Sequence, residues 1–292
     1  MSFDLYFVGV PNDGFGVDKF LYSQYYNRQL ISKLHDHLEL PGKKLFLDSG
    51  AFTAFTRNAV LDIDDYIRYI NANNNIITTV AALDVIPKGR HDIDESAERS
   101  WENFLYMRKR IDNPEKLIPT YHQTEPLKYL YQILNYEDEL GKINYFALGG
   151  LVSTIDTNVR DRFLSECFKI ILKLRPDINV HAFGLTDLKL LEAYPFRSAD
   201  STAYVLAAGM GEILTEFGRF AVSNVRCNDS KSTLKHDETF QLLQNYVGKF
   251  GYDLTNLMSS REERVRYNIS YLQYWEKNRI CRYDSVTSRK LF

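Results

Sequence analysis

Cysteine is scarce in this 292-residue chain: there are three, Cys167, Cys227 and Cys281, an odd number with no Cys-x-x-Cys spacing. That disfavours both a disulfide framework and a cysteine-rich zinc site, and it fits a reducing cytoplasm. Long apolar runs are missing too. None approaches the roughly 18 residues a bilayer requires, and Met1-Ser2-Phe3-Asp4 lacks the basic start of a secretory leader. The expectation is a cytoplasmic protein with no membrane partner. Neither charge sign dominates, the formal net charge being −2, so any nucleic-acid surface must be local. No Gly-x-Gly-x-x-Gly or P-loop lysine motif occurs, and no Pro-, Gly- or Ser-rich linker divides the chain. Aromatics are abundant, with 20 Tyr and 18 Phe, most of them expected in the core or half-buried.

Short apolar segments recur at 5–10, 45–52, 76–87, 117–123, 143–151, 178–185, 196–204 and 218–224. Helical patterns separate most of them: 18–38, 62–74 capped by Asp62, 92–112, 126–139, 156–174, a short helix from Asp187, and 205–210. This alternation is the rhythm of βα units on a parallel sheet. It predicts an α/β fold, a closed (β/α)8 TIM barrel over 1–230, with an open doubly wound sheet as the rival. Helical patterns near 234–250 and 261–279 predict a helical C-terminal extension, 231–292, packed on the barrel and without a zinc subdomain.

In such a barrel, chemistry collects at the C-terminal ends of the strands. Asp48 ends the second apolar segment, Asp84 the third, His122 and Gln123 the fourth, Gly149-Gly150 the fifth, Phe183-Gly184 the sixth and Asp200 the seventh. Each has an ordinary reading: a turn for Asp48-Ser49-Gly50, a loop cap for Asp84, a core histidine for His122, a positive-φ turn for Gly149-Gly150, a helix start for Asp200. Their coincidence at matching strand ends favours a site, because gathering three acids costs Coulombic repulsion that a merely structural barrel has no reason to carry.

The segments DSGAF (48–52), ALD (82–84), YHQ (121–123), ALGGL (147–151), HAFGL (181–185) and SADST (198–202), in this order, resemble the guanine transglycosylases, which exchange guanine in nucleic acid for a 7-deazaguanine. The resemblance spans roughly 45–205. It implies that Asp200 is the nucleophile attacking C1′, giving a covalent glycosyl–enzyme, and that Asp48 is the general acid/base. It further implies that Asp84 accepts from the guanine N1–H and N2 amino group, that Gln123 and the backbone at Gly150-Leu151 read O6 and the opposite edge, and that Gly149 belongs to the same base-binding set. His122 and Gly184 line the base pocket in this reading, and Phe52 and Phe183 sandwich the base. The base must leave its stack to reach such a pocket.

The transfer-RNA members of that family carry a Cys-x-Cys-x-x-Cys zinc cluster, an Arg-rich loop after the nucleophile and an RNA-binding domain, and this sequence has none of the three. It is closer to the DNA 7-deazaguanine transglycosylases of phages and bacterial modification clusters. The implied partners are therefore DNA, favoured over tRNA, and a preQ0-like 7-deazaguanine base, with an accessory protein for strand opening as a further candidate; no metal or other cofactor is implied. Candidate phosphate contacts are Lys88, Arg90 and His91 after Asp84, Arg197, and Arg261, Arg264, Arg266 and Arg279 in a C-terminal stretch interleaved with tyrosines. For that stretch, a solvated helix with its aromatic face packed inward is an equal reading. Three alternatives stay open: a base-releasing N-glycoside hydrolase, a non-catalytic nucleic-acid-binding subunit, and a metal-dependent barrel enzyme with Asp48, Asp84 and His122 as ligands.

Overall fold

The computed structural model describes residues 3–8, 28–32, 44–151, 156–224 and 237–283. The described residues group into two compact units, one drawn from 3–8, 28–200 and 280–283, the other from 201–279.

The first unit is built on a nine-stranded sheet. Its strands are β1 (Asp4–Val8), β2 (Arg28–Ser32), β3 (Lys44–Asp48), β4 (Ile77–Ala81), β5 (Leu117–Ile118) and β6 (Thr120–His122), then β9 (Tyr145–Gly149), β10 (Asn179–Ala182) and β11 (Ser198–Ser201). A separate hairpin of β7 (Glu137–Asp138) and β8 (Gly141–Lys142) precedes β9. The order across the sheet is β5-β4-β3-β2-β1-β11-β10-β9-β6, and the registered pairs between these strands are parallel. The two outermost strands are separated in sequence by Pro119 alone. Having no N–H, proline interrupts the ladder; on one side the segment pairs with β4 through Leu117 and Ile118, on the other with β9 through Thr120 to His122. Both edges of the sheet therefore meet at one chain segment, giving a nearly closed, TIM-like barrel filled by Tyr6, Leu30, Phe46, Ala81, Ile118 and Ala147.

Helices α1 (Ala51–Thr56), α2 (Ile63–Ala72), α3 (Ile93–Arg108), α4 (Leu127–Asn135), α5 (Thr157–Leu174) and α6 (Leu188–Ala193) connect the strands. Side-chain caps set several of their starts. Asp62 accepts from the Asp65 amide, Asp156 from Asn158, and Asp187 from Lys189 and Leu190.

Two expectations change. Residues 28–32, expected inside a helix over 18–38, are strand β2, with Leu30 and Ile31 buried and partners on both sides; 18–27 and 33–38 lie outside the described residues. The last apolar segment, 218–224, does not join the parallel sheet. It contributes β13 (Gly218–Ala221), antiparallel to β12 (Glu212–Thr215) in a hairpin of the second unit. Arg219 and Ala221 are exposed and Phe220 only partly buried, so this strand is not a barrel stave. The second unit also holds α7 (Ala203–Gly209), α8 (Asp237–Gly248), α9 (Leu254–Ser259) and α10 (Arg261–Asn278). Fully buried Asn268 of α10 donates to the Tyr204 carbonyl at 3.0 Å and accepts from the Leu214 amide at 2.8 Å, tying α10 to α7 and β12. No described helix is long and apolar enough to cross a membrane.

Candidate active site

Alternation along a strand sends residues i and i+2 to one face. Phe46 and Ala147 fill the barrel interior, so Asp48 and Gly149, two residues on, share that face at the C-terminal end. By the same parity His122 follows Thr120, Phe183 follows His181 and Asp200 follows Ser198. Asp84 lies just beyond β4. The sheet thus brings Asp48, Asp84, His122, Phe183 and Asp200 to one end of the barrel.

Burial, then the charge of Asp200, raise the Asp48 carboxyl to about 7; Asp84 adds to this, while the Gly50 and Ser49 amides oppose it. The Gly50 N–H donates to Asp48 Oδ2 at 3.3 Å, and Gly50 itself has φ 77°, a conformation natural to glycine at the start of α1. Asp200 is buried, with its Oδ1 accepting from the Gly184 amide at 2.7 Å and lying 3.3 Å from His181 Nε2. One acid is therefore biased toward holding a proton while its neighbour accepts a backbone N–H, an asymmetry that suits separate acid/base and nucleophile roles.

Asp84 is raised to about 6 by burial, with His122 opposing and Glu125 adding. Burial would depress the His122 imidazole, but Asp84 and Glu125 outweigh it and lift the ring to about 9. Its Nδ1–H donates to Glu125 Oε1 at 2.8 Å, its backbone N–H to Glu125 Oε2 at 3.0 Å, and Nε2 faces Asp84 Oδ2 at 3.5 Å. His122 is thus held between two carboxylates and orients Asp84. Glu125 was not among the expected residues; its signal was the His-x-x-Glu spacing in the turn after β6, which lets one carboxylate bind both ring and backbone of His122. His181 and Ser198 open two of the motifs, and their strand parity points them into the barrel.

Gly149 makes a close approach to protein. A Cβ there would lie 2.6 Å from His122 Cδ2 and 2.8 Å from Thr120 Cγ2, so its missing side chain seats the imidazole. Gly150 has φ 76°, and the Gln123 amide donates to the Gly149 carbonyl at 3.2 Å. The Leu151 side chain is fully buried. Phe183 packs on Phe46 and His181, whereas Phe52, on α1, is 66% exposed.

The phosphate candidates divide. Lys88, Arg90 and His91 are exposed in the loop after β4, with His91 beside Asp92 at 3.1 Å. Arg197 is corrected: it lies at the N-terminal end of β11, away from Asp200, and pairs with Asp4 at 2.8 Å. Arg264 is corrected as well, being buried and donating to the carbonyls of Ala208 and Leu257 at 3.1 and 2.7 Å. Arg266 pairs with Glu262 and Glu263, the side chain of Arg261 lies against Gly209, and Arg279 follows α10. Tyr267 and Tyr271 are buried with Arg264, whereas Arg261, Arg266 and Arg279 are partly exposed and Tyr274 is exposed. Among the described residues no group of three His, Cys, Asp or Glu side chains is arranged to hold a metal. No protein-family model matches the chain, and no curated protein is significantly similar to it.

Proposed function

We propose that this protein is a transglycosylase that exchanges guanine in DNA for a 7-deazaguanine base. The observation that carries this reading is the pairing of Asp48, raised to about 7, with Asp200, whose Oδ1 takes the Gly184 amide. In the first step Asp200 attacks C1′, the C1′–N9 bond breaks with its electron pair leaving on guanine, and Asp48 supplies the proton that neutralises the departing base. In the second step the incoming base gives a proton to the Asp48 carboxylate, attacks C1′, and the Asp200 ester breaks with its pair returning to the carboxylate. Charge builds on the sugar in an oxocarbenium-like state that adjacent carboxylates stabilise.

Asp84, with an ordinary value lifted only to about 6, is an acceptor at neutral pH for the N1–H and N2 donors of guanine, and the His122 cation steadies it. Gln123 and the Gly149-Gly150 backbone lie against each other beside His122, and Phe183 offers a ring. Lys88 and Arg90 on the adjacent loop fit phosphate contacts. The nearly closed parallel sheet, with both edges at 117–122, is compatible with the TIM-like architecture that this reading expects.

Incubating the protein with guanine-containing DNA and labelled guanine tests the exchange. Incorporation of label is expected; release of free base without incorporation would move the assignment to an N-glycoside hydrolase. Trapped covalent protein–oligonucleotide adduct is expected from wild type and absent from Asp200→Asn, whereas Asp48→Asn should retain base binding and turn over at least about a hundredfold more slowly. Equal adduct from both variants would overturn this division of roles.

A further inference from the structure

Beneath Asp200 runs a polar chain that the two-carboxylate mechanism leaves unused. His181 is fully buried, boxed by Phe46 at 4.7 Å, Phe183 at 4.6 Å and Tyr6 at 6.2 Å between ring centres. Its Nδ1 is 2.5 Å from Ser198 Oγ, and Ser198 Oγ is 2.5 Å from the Tyr145 hydroxyl. Its Nε2 faces Asp200 Oδ1 at 3.3 Å, short of a well-aligned hydrogen bond, and has no other partner among the described residues.

Counting protons selects one arrangement. Ser198 has a single hydroxyl proton and two neighbours. If that proton went to Tyr145, the neutral imidazole would have to donate through Nδ1, leaving the Nε2 lone pair facing a carboxylate oxygen inside the barrel. With the proton directed to His181 Nδ1, the Tyr145 hydroxyl donates to Ser198 and the Nε2–H points at Asp200. Burial lowers the His181 basicity, the Asp200 charge opposing, which keeps the ring neutral. We propose that His181 is a positioning residue for Asp200, fixed as the Nε2–H tautomer by the one-way chain Tyr145 to Ser198 to His181.

The consequence for the reaction rests on Asp200 being the nucleophile. The Gly184 amide and the His181 Nε2–H both address Oδ1. Oδ2 is then the oxygen that bonds C1′, and Oδ1 becomes the ester carbonyl. When the incoming base breaks the C1′–Oδ2 bond, the electron pair returns to the carboxylate, and the two donors on Oδ1 stabilise it as the leaving group. His181 transfers no proton in either step; it sets which oxygen reacts and eases the second displacement.

Histidine 15N–1H correlation NMR on the full chain, combined with adduct kinetics on a guanine-containing oligonucleotide, tests this. At pH 7 wild-type His181 should be neutral and protonated on Nε2. Ser198→Ala should weaken that tautomer preference and slow turnover of the adduct about tenfold, the effect of one lost hydrogen bond to a charged group, with KM unchanged. His181→Gln, which keeps an N–H, should retain more turnover than His181→Leu. A Nδ1–H tautomer or an imidazolium in wild type, a Ser198→Ala protein with wild-type tautomer and rate, or equal Gln and Leu variants would each overturn the proposal. Should the variants at 181 fail to fold, wild type and Ser198→Ala decide it. A wild-type protein that forms no adduct would sink the transglycosylase reading, while the tautomer measurement would still decide the chain.

Discussion

Asp48 ties its proposed acid/base role to stability at a single residue. The unfolded chain releases this proton near the ordinary 3.8, whereas the folded protein keeps it up to about 7. Between those values the folded state binds more protons than the unfolded one, so stability falls as pH rises through the window, and the whole cost is present above it. Asp48→Asn has no such proton to lose. It should match wild type near pH 4 and exceed it at pH 8 by about 4 kcal/mol, the shift from 3.8 to about 7 taken at about 1.4 kcal/mol for each tenfold change in an equilibrium constant. Thermal melts across that range are the measurement, and a variant less stable than wild type at pH 8 would contradict the burial and repulsion assigned to Asp48. Asp48 and Asp200 were legible in the sequence because each closes an apolar run. Glu125 was harder to see, because its role depends on a turn that folds it back onto His122.

At the level of the element, the strand pair β6–β9 shows how glycine serves the site. The space beside Gly149 belongs to His122 and Thr120 rather than to a ligand. Gly149→Ala must displace the imidazole or the strand, and a cost of about 1–3 kcal/mol is expected, read as a lower denaturant midpoint with an unchanged m-value. Because the displaced ring orients Asp84, guanine binding should weaken as well. An unperturbed midpoint would mean that the approach is looser than 2.6 Å implies. Helix starts such as Asp62 and Asp187 were readable because capping is local. Strand β2 was not: Arg-Gln-Leu-Ile-Ser is too short and mixed to signal a strand, and its identity comes from pairing with β1 and β3, more than ten residues away on either side.

At the scale of the whole molecule, the arrangement of charge matters more than its sum. The basic C-terminal stretch looked like a phosphate track because eight Lys/Arg face only four Asp/Glu from residue 259 onward. Instead Arg264 caps backbone carbonyls inside the second unit, and Arg266 is matched by two glutamates. Arg264→Ala should therefore lower the melting temperature and leave the salt dependence of DNA binding unaltered. Lys88→Ala and Arg90→Ala should leave the melt unaltered and each reduce the slope of log affinity against log salt by about 1. Fluorescence anisotropy at several salt concentrations measures both. A reduced slope for Arg264→Ala, at matched folded fraction, would return that residue to the interface.

What this sequence determined by itself was periodic and local: apolar runs that end in acids and helical patterns that begin at aspartates. Those signals survive because each depends on residues a few positions apart. The tertiary structure decided what depends on distant neighbours: that 28–32 is a stave and 218–221 is not, that Pro119 is where the sheet's edges meet, that Arg197 lies at the far end of its strand. It also decided that His181 and Ser198 stand behind Asp200. Burial and donor counting acquire meaning only once strands far apart in sequence face one another across the barrel.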